Sequence, residues 1–173
     1  MKRILRRHRK PLGVLLVLLA TGLLTQRLAR AAEFLGDGTE AVVKAGTTID
    51  GNLYASGQTV KIEGKVDGDL ICAGSQIIVA EGGEVTGDLI CAGQSVEISG
   101  TVDGDVRAAG YLVRVNSGAS VGGELVGAAF AIEVEPDASV GDDLMAAGSQ
   151  VRVAGTVGGD ARVAAGGLDI QGD

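Results

Sequence analysis

Apolar and polar residues alternate with a period of two over most of this chain, in short runs that recur at a nearly fixed step. The clearest copy is TVDGDVRAAG at residues 101–110, which reads Val-x-Gly-acid-aliphatic-x-small-small-Gly. The phrase returns as KVDGDLICAG (65–74), EVTGDLICAG (84–93) and SVGDDLMAAG (139–148), with looser copies at 48–57, 120–129 and 156–165. The seven copies pivot on Gly51, Gly68, Gly87, Gly104, Gly123, Asp142 and Gly159. The step from pivot to pivot is either short, as from Gly51 to Gly68, or longer by two, as from Gly68 to Gly87. Self-similarity at a fixed short period is the mark of a solenoid.

Aligning the copies on their pivots gives columns. Two before the pivot stand Ile49, Val66, Val85, Val102, Val121, Val140 and Val157; two after stand Leu53, Leu70, Leu89, Val106, Leu125, Leu144 and Ala161. Four after the pivot the residues are small, as in Ala55, Cys72, Cys91 and Ala108, and nine and eleven after it they are Val, Ile or Leu. Alternation of this kind predicts strands with one buried face. No stretch between them has helical length, so a coil holds two or three short strands and their corners. The prediction is an all-β, single-stranded parallel β-helix of about seven coils. Stacked at the usual strand spacing they make a rod roughly 34 Å long. The two extra residues of a long coil fall at one corner, where Ala80-Glu81-Gly82-Gly83 replaces a pair such as Ser99-Gly100. They are expected to bulge outward, as solenoid insertions do.

Residues 1–31 differ in kind. Six Lys or Arg and the only histidine, His8, lie in residues 1–10, followed by an apolar run over 11–24 and the small-residue pattern Ala29-Arg30-Ala31. This reads as a signal peptide cleaved after Ala31, or an uncleaved signal-anchor helix. Either way the positive end stays inside. The repeats are then exported to the periplasm or cell surface, or held outside the cytoplasm on a membrane anchor. Residues 32–47 read as a lead-in segment that caps the first coil, with a short strand at Ala41–Val43, and residues 48–173 as the β-helix domain. The sequence ends at Asp173 with a coil and no polar closing turn. That predicts either a longer parent chain or an open end that pairs with another copy. The apolar residues expected to form such a polymer interface are Val157, Ala161, Val163, Leu168 and Ile170.

Composition sharpens this picture. Hydrophobic residues make up 46% of the chain but aromatics only 2%. The core must therefore be a narrow stack of aliphatic side chains. Eight of the 15 Lys and Arg lie in residues 1–31, and none of the 22 Asp and Glu do. The remainder carries seven basic against 22 acidic residues, a net charge of −15. A body this acidic disfavours nucleic acid as a partner.

The residue after the pivot is Asn52, Asp69, Asp88, Asp105, Glu124, Asp143 or Asp160. Stacked carboxylates can form a divalent-cation ladder, with Asp69, Asp88, Asp105 and Asp143 as the candidate ligands. They can equally bind backbone N–H groups at a glycine turn, which is the reading favoured here. Cys72 and Cys91 share one column in adjacent coils. They are within reach of a disulfide, or serve as two small core residues, and both readings stay open. Two thiols without a histidine in the repeats do not make a zinc site. No catalytic residues and no cofactor are expected. Arg107, Arg114, Arg152 and Arg162 read as solvated face.

On the phrases VDGDLICAG, VTGDLICAG and VDGDVRAAG, with the Val96-Glu97-Ile98 and Val113-Arg114-Val115 strands between them, the chain resembles the bactofilin, or polymer-forming cytoskeletal, family. The resemblance covers residues 48–173. It implies a right-handed β-helix that polymerises end to end without nucleotide, a structural scaffold and not an enzyme. The partners it implies are other copies of the chain, and envelope or membrane proteins. An export leader departs from the cytoplasmic pattern of the family. It points to an exported branch that scaffolds the cell envelope. The alternative function is a monomeric surface module that binds a cation or glycan on the acidic column.

Overall fold

The computed structural model describes residues 33–172 except Asp37; the leader expected over residues 1–31 lies outside the described residues. The chain from residue 48 onward is a parallel β-solenoid of seven coils. Each coil opens on a strand of two or three residues. These are β3 (Thr48–Asp50), β5 (Lys65–Asp67), β7 (Glu84–Val85), β9 (Thr101–Val102), β11 (Ser120–Val121), β13 (Ser139–Val140) and β15 (Thr156–Val157). Each continues, past the pivot, into a strand of ten residues. These are β4 (Leu53–Ile62), β6 (Leu70–Val79), β8 (Leu89–Ile98), β10 (Val106–Val115), β12 (Leu125–Val134), β14 (Leu144–Val153) and β16 (Ala161–Ile170). Like stacks on like, in parallel and in coil order, giving one sheet of long strands and one of short strands.

The register follows the columns. Leu53 lies over Leu70, Leu70 over Leu89 and Val96 over Val113. Each inward side chain therefore packs on its own counterpart above and below. Val66, Val85, Val102, Leu89, Val96, Ile98 and their equivalents through Leu144 are fully or almost fully buried, and the described core holds no buried polar or charged side chain. Burying one such aliphatic side chain stabilises by roughly 1.5–3 kcal/mol. Repetition supplies what aromatics supply in other cores.

The long strand differs from the short pieces expected. It is continuous, and it turns a corner without ending. Pairing runs from Val106 to Gly110, skips Tyr111 and resumes at Leu112. That skip switches the inward parity, so Val106 and Ala108 point inward before the bend and Val113 and Val115 after it. The backbone ladder carries on through the bend because a small residue, Gly or Ala, stands just before it in every coil.

The two-residue insertions sit where expected, in the tight turns 80–83, 116–119 and 135–138. In each the N–H of the last residue bonds the C=O of the first, at 2.8, 3.0 and 3.1 Å. The third residue takes positive φ: Gly82 and Gly118 at 79°, Asp137 at 63°. A non-glycine residue is strained there by about 1–2 kcal/mol, though Asp tolerates it better than most. Asp137→Gly is therefore expected to raise the unfolding free energy by up to about 1 kcal/mol, the strain relieved less the entropy glycine loses. The denaturant midpoint measures this.

The lead-in forms a partial layer over the first coil. Strands β1 (Glu33–Leu35) and β2 (Glu40–Val43) both pair with β4, and Ala41 and Val43 are buried. The strand at Glu33–Leu35 has no alternation long enough to announce it; pairing with β4 creates it. At the other end β16 pairs on one side only, with β14.

Candidate functional site: an acid ladder and an open coil

The residues that follow the pivots do not stand free. Asn52 Oδ1 accepts the backbone N–H of Asp69 at 3.1 Å, and Asp69 Oδ1 accepts that of Asp88 at 3.0 Å. Asp88 Oδ1 accepts the Asp105 N–H at 3.0 Å, and Asp105 Oδ1 the Glu124 N–H at 2.9 Å. Asp143 Oδ1 accepts the Asp160 N–H at 2.9 Å. Each of these side chains thus reaches one coil onward and satisfies the amide of its own successor. Charge-assisted bonds of this kind offset the repulsion between stacked carboxylates.

This ladder, with the pivot backbone of the coil below, leaves no room for a side chain at the glycines. A Cβ on Gly68 would stand 2.8 Å from Asn52 Oδ1, and one on Gly104 would stand 2.5 Å from Asp88 Oδ1. Gly87, Gly123 and Gly159 are overlaid in the same way by the carboxylates of Asp69, Asp105 and Asp143. The pivot is glycine wherever the previous coil has Asp or Asn. The one pivot with a side chain, Asp142, follows the one Glu, Glu124. Glu is a methylene longer and makes no such bond to Asp143 among the described residues, so Asp142 keeps room for its Cβ. A coupled result follows. Glu124→Asp alone places an oxygen against the Asp142 Cβ and gains nothing. Asp142→Gly alone loses about 0.5–1 kcal/mol. Together they complete the ladder and are expected to stabilise by about 1 kcal/mol. A double-mutant cycle in denaturant reads the coupling.

The four arginines are paired rather than merely solvated. Arg107 bridges Asp88 and Asp105 at 3.5 and 3.0 Å, and Arg162 bridges Asp143 and Asp160 at 2.8 and 2.9 Å. Arg114 meets Glu133 at 2.6 Å, and Arg152 lies between Glu135 and Asp169. Apart from Asp105 and Asp160, which stand two residues before their arginines, these acids stand a whole coil away in sequence. Only stacking brings them to the guanidinium groups. The Asp105 carboxyl is held below the usual carboxylate range, chiefly by the Glu124 amide and then by Arg107. Asp143 is lowered by the Asp160 amide and then by Arg162. Depressed carboxyls stabilise the fold fully above about pH 4 and lose that contribution as pH falls through their lowered values. Melting temperature is expected to drop below about pH 4. The drop is smaller in Asp105→Asn/Asp143→Asn, which keeps the accepting oxygen without the charge.

Of the cation candidates, Asp69, Asp88, Asp105 and Asp143 line up as a column, each with one oxygen committed to backbone. Among the described residues no three His, Cys, Asp or Glu side chains are grouped to hold a metal ion. Cys72 and Cys91 are register partners with Cα atoms 4.6 Å apart, and their sulfurs are joined as a disulfide. Both lie within the core, in the column occupied elsewhere by Ala55, Ala108 and Ala146. No helix among the described residues is long and apolar enough to cross a membrane.

The last described coil is the most exposed. Columns that are buried from the second coil to the sixth emerge here: Leu168 is 53% and Ile170 55% exposed, Ala161 is exposed, and Val157 and Val163 are half-buried. A shallow depression beside them is lined by Ile132, Val151, Arg152 and Leu168.

Neither curated proteins nor solved structures gave a match to this chain. A family model did, the one described as bactofilin, polymer-forming cytoskeletal, over residues 41–140. That stretch is more than half of the chain and runs from strand β2 to Val140, just before the sixth pivot. It spans the coils in which the ladder runs from Asn52 to Glu124 without a break. The chain belongs to the bactofilin family.

Proposed function

We propose that this bactofilin is a structural protein that assembles end to end through its coils and scaffolds the cell envelope. The observation that carries the reading is the apolar face of the last described coil. Val157, Ala161, Val163, Leu168 and Ile170 continue columns that are buried from the second coil to the sixth, and among the described residues β16 pairs on one side only, with a row of N–H and C=O groups on the other. An uncovered strand edge over an aliphatic face is a template for a further layer. The natural occupant is another copy of the same chain, whose coils have matching width and strand spacing. Nothing in such docking requires nucleotide, metal or catalytic chemistry. The acid column serves the fold, since its oxygens satisfy the amides of the next coil; that weighs against a surface module built to bind cations or glycans there.

The domain limits follow the same reading: a leader over 1–31, a cap over 32–47 and the assembling solenoid over 48–173. The leader directs the solenoid out of the cytoplasm, to the periplasm or surface or onto a membrane anchor. The Cys72–Cys91 disulfide belongs to that oxidising setting. Envelope or membrane proteins are the partners such a scaffold would organise. Electron microscopy and light scattering of the purified protein test the assembly. Filaments are the expected result, and a strictly monomeric protein rejects it.

A further inference from the structure

The bend in the long strands carries chemistry that end-to-end assembly does not use. Residues seven and eight after each pivot stand there, and none of them is charged in any coil, from Gln58 and Thr59 to Gly166 and Gly167. Most are amides or hydroxyls, such as Gln76, Gln94, Ser149 and Gln150, all four exposed. Two aromatic residues sit in the middle of this strip. Tyr111 and Phe130, on adjacent coils, stack with ring centroids 4.9 Å apart and planes 4° from parallel. They are 59% and 44% exposed.

Each ring covers one face of the other. The remaining face of Tyr111 turns toward Gln94 of the coil below, and that of Phe130 toward Ser149 of the coil above. Beyond Phe130 the column falls to a hydroxymethyl group and then, at Gly166, to no side chain. The Phe130 face therefore stands as the wall of a step, with Ser149 at its foot. The step runs on into the shallow depression lined by Ala131, Gln150, Arg152 and Gly167. Arg152 reaches its acids only at 3.6 and 3.9 Å, which leaves guanidinium N–H groups for another acceptor.

An aromatic face bordered by uncharged donors and acceptors suits a sugar. The C–H face of a pyranose ring packs on the negative face of the π-system, and its hydroxyls bond the amide, hydroxyl and guanidinium groups alongside. A neutral ligand also escapes the repulsion that a body of net charge −15 sets against anions. The ring pair and its step cover far less than the roughly 800 Å² per partner of a stable protein interface, so a sugar ring fits better than a folded partner. We propose that the Phe130 step binds one ring of an uncharged polysaccharide with flat C–H faces, the class to which β-1,4-linked glucose and N-acetylglucosamine chains belong. Phe130 stacks on the ring, and Ser149, Gln150 and Arg152 bond its hydroxyls. The site lies apart from the acid column. It does not depend on end-to-end assembly, which would repeat it along a polymer and raise the avidity.

Saturation-transfer NMR tests this, because it reads weak ligands on monomers and polymers alike. The probes are cellohexaose, the N-acetylglucosamine hexamer and decaproline, a peptide that also packs on aromatic faces. Wild type is expected to saturate the ring C–H protons of one or both sugars, which names the sugar, and to leave decaproline unsaturated. Phe130→Ala removes the wall, and Ser149→Leu fills the step with Phe130 in place. Each is expected to weaken binding about tenfold. Phe34→Ala, which removes an 80% exposed ring elsewhere on the chain, is expected to bind as wild type does. Circular dichroism and melting show that each variant is folded, and light scattering of the same samples reports assembly separately. The site is overturned by no saturation of either sugar, by decaproline saturated as strongly as the sugars, by signal that survives either step variant, or by equal loss in Phe34→Ala.

Discussion

Val102→Asp leaves the chain unable to fold. Val102 is fully buried in β9, between Val85 and Val121 of the adjoining coils. The described core holds no polar side chain that could receive a carboxylate. A buried charge without a partner costs several kcal/mol at least, against a total stability of about 5–15 kcal/mol. A solenoid spreads little of that cost, because each coil touches only its neighbours. Coils four and five would lose their shared layer, and the stack would be cut in the middle. The expected observation is a chain without a cooperative melting transition. Asp103→Ala, one residue on and exposed, is the control and is expected to melt within about 0.5 kcal/mol of wild type. If Val102→Asp melts like wild type, the inward assignment of the whole column is wrong.

Leu168→Lys/Ile170→Lys abolishes assembly while leaving the subunit folded. Both side chains are more than half exposed in the single copy. Lysine there takes away little intramolecular packing, and the melting temperature should barely move. In the end-to-end contact proposed above, the same positions would lie within a dry stack, where an ammonium group has no partner. The contact is mainly apolar, so wild-type assembly should survive high salt. It should in fact strengthen, because salt screens the repulsion between bodies of net charge −15 over distances beyond about 10 Å. Light scattering at low and high salt reads both effects. Wild type that scatters as a monomer at micromolar concentration regardless of salt rejects the end-to-end reading. A variant that still polymerises moves the interface elsewhere on the solenoid.

The sequence by itself determined the architecture of this protein. Column membership, read from one pivot to the next, decided which side chains point inward, because parallel stacking in register puts every residue over its own counterpart. The corner insertions were equally legible, since Gly82 and Gly118 stand where a left-handed residue is needed. Three features waited for the tertiary structure. The glycine pivots read as turn residues, yet Gly68, Gly87, Gly104, Gly123 and Gly159 are small because the carboxylate or amide oxygen of the coil below, together with that coil's pivot backbone, occupies the space of a Cβ. The arginines read as solvated face, yet each is paired with an acid of a neighbouring coil. The split between short strands read from parity is a bend inside one strand, with the ladder unbroken but for a single skipped residue. All three depend on contacts between coils at the scale of one hydrogen bond. A repeat announces that two residues are neighbours; which atom meets which is decided only when the backbone fixes the distance between them.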